Sequence, residues 1–367
     1  MKEVALHGMV SSRNFGDILM VDIVARFLAT QQINVSVPMG NESVLKDLNI
    51  LEQTNRGYWG FNKCDSLVFT GGGYFGPMSN RNFSKDIRMM IKFASPAEFF
   101  LSSSQHHIIG VGVNNLNKFN LTQYYMKRFF NAAGTITVRD EESLSELRKI
   151  GVVRTDIEVL ADIALNIQVS SIPSESLKYA EDKLAYLNKN YEKIIALHLS
   201  DLPEATCYNS IYDGILKYAN EYENIGFVLI EDHPNSVSDS PQLLAAQYLK
   251  SLLMQRAEII PYSYHWNLVA ILSKVDGIVT NKLHVAIVSS ALNKVAVSFT
   301  KHEKNHRFFS QINAKERCIN LPDQTKDSVY MLMKNEFSCL NRGDLVPSSI
   351  RNLARRNLDL LAQNLVK

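Results

Sequence analysis

Two basic side chains with complementary chemistry stand at the end of an apolar stretch, in the text DGIVTNKLHVAIV. The apolar run predicts a buried strand and the residues after it predict a helix, so Lys282 and His284 fall at the helix N-terminus. Free backbone amides and the helix dipole favour anions at such an end. A histidine there can give or take a proton near neutral pH. We therefore predict that Lys282 binds an anionic substrate and that His284 is catalytic.

A dense basic cluster follows the next apolar strand, VAVSFT. Its members are Lys301, His302, Lys304, His306 and Arg307. Some of these side chains are expected at the solvated surface, because charged residues are mostly exposed. We predict that Lys301 contributes to substrate binding.

Polar residues also mark the first strand-to-helix connection, in the text GMVSSRNFGD. Its glycines permit tight turns, but their spacing differs from the G-x-G-x-x-G fingerprint of dinucleotide-binding proteins. Asn14 and Asp17 stand where the first helix begins. Asp17 is predicted either to cap that helix or to act as the general base, and Asn14 is predicted to bind substrate.

Further substrate contacts are predicted at the ends of other strands. Gly71, Gly72 and Gly73 follow SLVFT, where they either expose backbone amides to a ligand or form a tight turn. Arg139 ends the strand TITV and either clamps a carboxylate or phosphate or pairs with an acid of the next helix. Asp162 follows EVLA and either orients a substrate hydroxyl or caps the next turn.

Two histidines stand at corresponding positions in the second half of the chain, His198 in IALHLS and His233 in LIEDHP. Both follow buried strands, whose carboxyl ends form the ligand-binding edge of an open α/β sheet. We predict that both contact substrate and that each is a second choice for the general base. A hydrogen-bonded structural histidine is the alternative for each position.

These positions require a frame in which apolar strands alternate with helices along the whole chain. Continuous apolar strands separated by helices predict an α/β fold with parallel sheets covered on both faces. The alternation restarts after a Ser- and Pro-rich stretch, so we predict two tandem Rossmann-like domains with an active-site cleft between them. The predicted division is an N-terminal domain at 1–170, a linker at 171–178, a C-terminal domain at 179–345 and a C-terminal amphipathic helix at 346–367.

Composition indicates an ordinary globular protein, with 367 residues of which 46% are hydrophobic and 21% charged. Lys plus Arg is 39 and Asp plus Glu is 37, and the resulting net charge of +2 excludes a chain-wide field for nucleic acid. The cysteines, at Cys64, Cys207, Cys318 and Cys339, are too widely spaced to indicate a zinc site or a disulfide framework. We expect no metal.

The chain has no apolar run of the ~18 residues that a membrane span requires. The apolar stretch at the N-terminus is too short for a signal peptide. We therefore expect a cytoplasmic protein. Peripheral contact at the inner face of a membrane is left open, because the C-terminal helix carries arginines beside a leucine stripe.

The ordered set of motifs resembles the polysaccharide pyruvyl transferase family. The matching text spans roughly residues 4 to 312 and comprises NFGD, DSLVFTGGG, IGVGV, TVRDEES, VLADIA, DGIVTNKLH and VAVSF. The resemblance implies the glycosyltransferase-B architecture. It also implies phosphoenolpyruvate as donor, no further cofactor, and Arg139, Lys282 and His284 at the family's basic positions. The product would be a cyclic pyruvate ketal on a sugar of a cell-surface polysaccharide, such as an exopolysaccharide or capsule, or on its lipid-linked precursor.

The chemistry of phosphoenolpyruvate fits these residues. Its phosphate and carboxylate need a compact cationic site, for which Arg139 and Lys282 are the predicted contacts. Two alternatives remain: a glycosyltransferase that uses a nucleotide sugar, with Glu231 or Asp232 on the ribose, and a non-catalytic relative that binds a glycan or an anion.

Overall fold

The computed structural model describes residues 2–10, 13–50, 57, 60–61, 64–76, 105–116, 120–204, 208–234, 240–338 and 343–365. The chain divides into two compact units. The first comprises Met1–Ala164 and Ser349–Lys367, and the second comprises Leu165–Ser348.

The first unit is built on a parallel sheet. Its strands are β1 (Glu3–His7), β2 (Asn34–Ser36), β3 (Ser66–Phe69), β4 (Gly72–Phe75), β5 (Gln105–Val113), β6 (Thr135–Val138) and β7 (Glu158–Val159). The strand order is β2-β1-β3-β5-β6-β7, and β4 pairs with β5. The helices of this unit are α1 (Phe15–Thr30), α2 (Glu42–Asp47), α3 (Asn120–Ala132), α4 (Glu141–Lys149) and, at the end of the chain, α12 (Ser348–Leu365).

The second unit is built on a second parallel sheet. Its strands are β8 (Lys193–His198), β9 (Ile225–Ile230), β10 (Ala257–Ile260), β11 (Gly277–Thr280), β12 (Val295–Thr300) and β13 (Cys318–Asn320). Its helices are α5 (Ser174–Asn190), α6 (Asn209–Glu221), α7 (Pro241–Leu253), α8 (His265–Lys274), α9 (Leu283–Ala291), α10 (Glu303–Gln311) and α11 (Lys326–Ser338).

The order of these strands, β10-β9-β8-β11-β12-β13, is the Rossmann order 3-2-1-4-5-6 counted from β8. The order reverses between β8 and β11, which pair in register from Gly277 opposite Ile195 to Thr280 opposite His198. Ligands of such sheets bind outside the carboxyl ends of the strands at this reversal. The fold therefore singles out the residues that follow β8 and β11.

The predicted α/β architecture is confirmed, including the strand and helix around Lys282 and the pair β6 and α4 around Arg139. The strand predicted at EVLA, before Asp162, ends already at Val159. Asp162 Oδ1 accepts the N–H of Ala164 at 3.0 Å, and a 3-10 turn follows at Ile163–Asn166. Strands β10 and β13 and helices α2, α5, α8 and α11 were not predicted from the sequence.

Two segments near the predicted domain boundaries have defined structure. The predicted linker at 171–178 becomes helical at Ser174, where α5 begins after Pro173. Helix α12 belongs to the first unit, where Leu358, Leu361 and Leu365 of its predicted apolar stripe are buried. No helix within the described ranges is long and apolar enough to cross a membrane.

Candidate functional site

A pocket of about 160 Å³ lies in the second unit, at the carboxyl ends of β8, β11 and β12. It is lined by Ser200, Asp201, Tyr208, Asn281, Lys282, Leu283, Thr300, Lys301, His302, Lys304 and Leu321. The pocket therefore sits at the strand reversal and brings together Lys282 and Lys301, which the sequence placed in two separate motifs.

The two connections that form the pocket have the same local design. Each strand ends on a buried threonine, and its Oγ1 accepts the N–H two residues later: Thr280 from Lys282 and Thr300 from His302, both at 3.0 Å. Lys282 and His302 are the N-caps of α9 and α10, and neither side chain caps its own helix. Two helix N-termini thus adjoin the pocket, and each favours bound negative charge.

The electrostatics of the pocket centre on His302. Desolvation lowers the pKa of this imidazole, and repulsion from Lys304, Lys301 and Lys282 lowers it further. All three lysines therefore disfavour the protonated form of this imidazole, and the lowered pKa favours its neutral form near pH 7. An anion with more than one negative group is the ligand that such a cluster stabilises.

A buried carboxylate stands behind one of these lysines. Asp232 follows β9, is 4% exposed, and has its Oδ2 3.8 Å from Nζ of Lys282. Its Oδ1 accepts a hydrogen bond from Nε2 of Gln242 at 2.6 Å and lies 2.8 Å from Nδ1 of His233. Burial alone raises the pKa of Asp232, but His233, His198, Lys282 and Gln242 together hold it well below its usual range. The carboxylate is therefore ionised and fixed.

His198 belongs to this buried network. It is fully buried, its Nδ1 lies 3.1 Å from Oγ1 of Thr280, and its Nε2 lies 3.8 Å from Oδ1 of Asp232. Burial lowers its pKa to about 4, against the opposing charge of Asp232. A neutral histidine without exposed surface fits the structural alternative, whereas His233 keeps a side chain that is 40% exposed.

His284 occupies the first turn of α9, two residues after Lys282, and is half-buried. The lining of the pocket includes Lys282 and Leu283 but stops short of His284. The structure therefore brings His284 to the N-terminus beside the pocket, as the sequence predicts, and leaves its contact with substrate a prediction.

In the first unit, the structure brings together Gly73, Arg139 and Asp162. The Arg139 side chain is 6% exposed, with Nη1 3.5 Å from Oδ2 of Asp162 and Nε 3.9 Å from Oδ2 of Asp140. The Arg139 guanidinium packs closely against the main chain of two glycines. A Cβ added to Gly73 would lie 3.2 Å from Nη2 of Arg139, and a Cβ added to Gly112 would lie 2.6 Å from the same atom. Two carboxylates thus compensate the cation: Asp140, the N-cap of the next helix, is an acid of the kind that the ion-pair alternative named, whereas the nearer Asp162 was not part of that alternative.

Contacts and backbone conformation within the first unit explain why each of these three consecutive residues is a glycine. A Cβ on Gly71 would fall 2.6 Å from Sδ of Met20 in α1, and Gly72 adopts φ +137°, which favours glycine. The prediction of a glycine turn is wrong in its extent, because Gly72 and Gly73 already belong to β4, which pairs with β5. Packing therefore explains these glycines without a ligand.

Asn14 and Asp17 are both half-buried at the start of α1. Asn14 is the N-cap, although its side chain makes no capping hydrogen bond, and Asp17 is the third helical residue. The N-cap predicted at Asp17 is therefore wrong, because Asp17 lies three residues after the N-cap position that Asn14 occupies. Its charge is still favoured there by the helix dipole.

A comparison with known protein families identifies the family of this chain. The family model for polysaccharide pyruvyl transferase matches residues 14–302. The chain belongs to this family. No curated protein sequence was found to match the chain.

The fold of this pyruvyl transferase family member is similar to that of solved nucleotide-sugar enzymes. A UDP-GlcNAc 2-epimerase from Neisseria meningitidis, bound to UDP-GlcNAc, has a TM-score of 0.64 and 13% identity, with 100% of both chains covered. The S. aureus MnaA-UDP structure has a TM-score of 0.62 and 12% identity, with 100% of this chain and 97% of that chain covered. The structure of Anabaena Alr3699/HepE in complex with UDP-glucose has a TM-score of 0.59 and 11% identity, with 100% of this chain and 98% of that chain covered. The fold is thus of the glycosyltransferase-B class, with two Rossmann-like domains.

Part of this family member's pocket was not predicted from the sequence. Asp201, Tyr208 and Asn281 line it, and none of them was among the predicted site residues. One local signal was available, since the text T-x-K at 280–282 and the text T-x-H at 300–302 repeat after two neighbouring strands. Asp201 and Tyr208 carry no such signal.

The remaining candidates for chemistry among the described residues are the cysteine thiols and the side chains that could bind a metal. Cys64 and Cys318 are free and buried, and burial raises the pKa of Cys318 to about 12, whereas Cys207 and Cys339 lie outside the described residues. No group of three or more His, Cys, Asp or Glu side chains in the described part of the chain could hold a metal ion.

Proposed function

We propose that this protein transfers pyruvate from phosphoenolpyruvate to two hydroxyls of a sugar, forming a cyclic ketal on a cell-surface polysaccharide or its lipid-linked precursor. The observation that carries the proposal is the small cationic pocket of the second unit. It combines Lys282, Lys301 and Lys304 with the N-termini of α9 and α10. The proposal needs no further cofactor.

The size and charge of the pocket favour a compact anion over a whole nucleotide sugar. Its volume of about 160 Å³ is below the ~300–1,000 Å³ of sites for drug-sized ligands. Phosphoenolpyruvate carries a phosphate and a carboxylate on three carbons, so two negative groups fall within one small site. The lysines and helix amides stabilise both groups by charge-assisted hydrogen bonds.

The transfer needs one acid and one base that work on the bound donor. His284 protonates the methylene carbon, C3, and the electrophilic C2 then takes the oxygen of the first hydroxyl, whose proton passes to a base. The oxygen of the second hydroxyl then bonds to C2 as the bond from C2 to the phosphate oxygen breaks. Phosphate leaves with that electron pair and takes the proton held by the base, and the proton of the second hydroxyl returns to His284.

Three positions of the first unit keep their predicted roles as proposals: Asp17 as the alternative base, and Asn14 and the backbone at Gly73 as sugar contacts. We assign Arg139 to holding β4 and Asp162, because its guanidinium is buried and compensated. A lipid-linked acceptor would require contact with a membrane, which stays a prediction.

The proposal is tested by calorimetric titration of phosphoenolpyruvate into the purified protein, combined with an assay of phosphate release. We expect Lys282→Ala to weaken the affinity by about tenfold or more, because hydrogen bonds to charged groups contribute ~1.5–3 kcal/mol. The matched control is Lys189→Ala, an exposed lysine of α5 in the same unit. Equal affinities in wild type and Lys282→Ala would contradict the assignment of the pocket.

A nucleotide-sugar glycosyltransferase is the second candidate, favoured by the similarity to structures with bound UDP, UDP-GlcNAc and UDP-glucose. The acids expected to grip a ribose are Glu231 and Asp232, and the structure buries both, with exposures of 1% and 4%. A titration with uridine, guanosine and cytidine diphosphates decides between the candidates. Selective binding of one of them, without binding of phosphoenolpyruvate, would favour the glycosyltransferase. Phosphoenolpyruvate binding without phosphate release in the presence of sugars would favour the non-catalytic relative.

A further inference from the structure

One wall of the pocket that Lys282 and Lys301 line carries an acidic side chain. Asp201 lines the pocket directly after β8, and its Oδ2 accepts a hydrogen bond from Oγ of Ser200 at 2.9 Å. The main chain is fixed as well, because the hydroxyl of Tyr212 donates to the carbonyl oxygen of Asp201 at 2.7 Å. The carboxylate is therefore held in place in the same pocket as Lys282 and Lys301.

Asn281 connects this wall to the neighbouring strand end. Its Nδ2 donates to Oγ of Ser200 at 2.5 Å and to the hydroxyl of Tyr208 at 2.8 Å. The side chain lines the pocket, is 7% exposed, and its Oδ1 has no hydrogen-bond partner in the described part of the protein. A buried amide oxygen without a donor costs free energy, so this wall is incomplete without a ligand.

The chemistry of the wall differs from that of the donor. Ionised phosphoenolpyruvate offers acceptor oxygens only, so it satisfies the lysines and is repelled by the carboxylate of Asp201. The oxygens of Asp201 and Asn281 require hydrogen-bond donors, and the hydroxyls of a sugar are donors. The two walls of the pocket therefore suit two reactants. An anion contacts the lysines, and a sugar hydroxyl contacts Asp201 and Asn281, which form the hydroxyl wall.

We propose that Asp201 is the general base for the sugar acceptor and that Asn281 and Ser200 position it, which places the attacking hydroxyl in the second unit rather than beside Asp17. The inference rests on the proposed function. In the first step the hydroxyl oxygen forms its bond to C2, its proton passes to Oδ1 or Oδ2 of Asp201, and C3 takes a proton from His284. In the second step the other hydroxyl adds to C2 and returns a proton to His284, and the departing phosphate takes the proton from Asp201.

The test uses phosphoenolpyruvate with methyl β-D-galactopyranoside, methyl β-D-glucopyranoside and methyl α-D-mannopyranoside, each of which presents hydroxyl pairs. Phosphate release is measured with and without glycoside, and the affinity for phosphoenolpyruvate is measured by calorimetry. We expect Asp201→Asn to reduce glycoside-stimulated release by about 10²–10⁴-fold, the range for general-base catalysis, with the donor Kd unchanged or lower. Asp182→Asn, an exposed acid of α5, is the matched control.

Several results would overturn the inference. If Asp201→Asn releases phosphate at the wild-type rate in the presence of glycoside, Asp201 is not the general base. If Asp201→Asn has a higher Kd for phosphoenolpyruvate, Asp201 contacts the donor instead of the acceptor. A wild type that binds phosphoenolpyruvate but is stimulated by none of the glycosides would also contradict the hydroxyl wall.

A second measurement separates this inference from the proposed function. If wild type does not bind phosphoenolpyruvate, the proposed function fails, and glycoside binding is then followed by saturation-transfer NMR. Signals present in wild type and lost in both Asp201→Asn and Asn281→Leu, with far-UV circular dichroism unchanged, would support the hydroxyl wall. Signals that persist in these variants, or no signal in wild type, would overturn it.

Discussion

The ammonium group of Lys282 and the carboxylate of Asp232 lie 3.8 Å apart at the carboxyl ends of two different strands, β11 and β9. The lysine lines the pocket, whereas the acid is buried and held by Gln242 and His233. The fixed carboxylate restricts the intrinsically flexible lysine side chain before any ligand binds. Less conformational entropy is then lost when the lysine contacts an anion.

The buried carboxylate of Asp232 is expected to stabilise the second unit. Asp232→Asn replaces a charged acceptor of hydrogen bonds from Gln242 and His233 and should lower the free energy of unfolding by about 2–3 kcal/mol at pH 7. Urea unfolding monitored by hydrogen exchange in β9 measures the change. The exposed Asp182→Asn serves as control, and equal stabilities for the two variants would contradict the buried network.

His284→Gln tests the proposed proton donor. We expect phosphate release to fall by about 10²–10⁴-fold, because the imidazole no longer exchanges a proton, while the Kd for phosphoenolpyruvate changes little. Single-turnover kinetics and calorimetry separate the two quantities. A variant that keeps the wild-type rate would remove His284 from the reaction.

Stability should fall in acid because two histidines are buried in neutral form. Burial lowers the pKa of His107 and His198 to about 4, from an ordinary value of 6.5. Between pH 6.5 and pH 4 the unfolded chain binds protons that the folded chain does not. The contribution of these histidines to the free energy of unfolding therefore has its full value above about pH 6.5 and decreases toward pH 4. Urea unfolding at pH 7.5, 5.5 and 4.5 measures the slope. His107→Gln should reduce that slope, and an unchanged slope would contradict the assignment to His107.

Gly112 and Arg139 provide a test of the compact contact in the first unit. A Cβ at Gly112 would lie 2.6 Å from Nη2 of Arg139, so Gly112→Ala should cost about 1–3 kcal/mol of stability. In the double variant Gly112→Ala with Arg139→Ala the clash is absent, so the added effect of Gly112→Ala should be smaller there than in wild type. A double-mutant cycle of thermal unfolding gives this coupling, and additive effects would show that the contact is unimportant.

Asn357 of α12 is expected to hold the C-terminal helix in the first unit. Its Nδ2 donates to the carbonyl oxygen of Ala161 at 2.9 Å, and its Oδ1 accepts from Oγ1 of Thr137 at 2.6 Å. Asn357→Ala leaves these groups unpaired and should cost about 2–4 kcal/mol. Hydrogen exchange in β6 reports the loss. Asn352→Ala, on the exposed side of the same helix, should change stability by less than about 0.5 kcal/mol.

The fold was predictable from sequence because each strand and helix carries its own apolar pattern. The strand through Thr280 and the helix after Lys282 are examples, and their junction located the pocket. The burial of His198 was not predictable, because it depends on the pairing of His198 with Thr280, which is 82 residues away. Asp201 was not predicted for a similar reason, because Ser200, which donates to its carboxylate, is bound in turn by Asn281 from a distant strand end.

The position of α12 has a consequence for how the protein is made. The first unit uses both the start of the chain and its last residues, whereas the second unit is complete at Ser348. During synthesis the second unit can therefore fold before the first unit has received its final helix. Chains released at residue 348 should protect the β8 to β13 sheet from proteases while leaving the β1 to β7 sheet open to cleavage. Synthesis of the second unit is therefore complete before α12 of the first unit has been made.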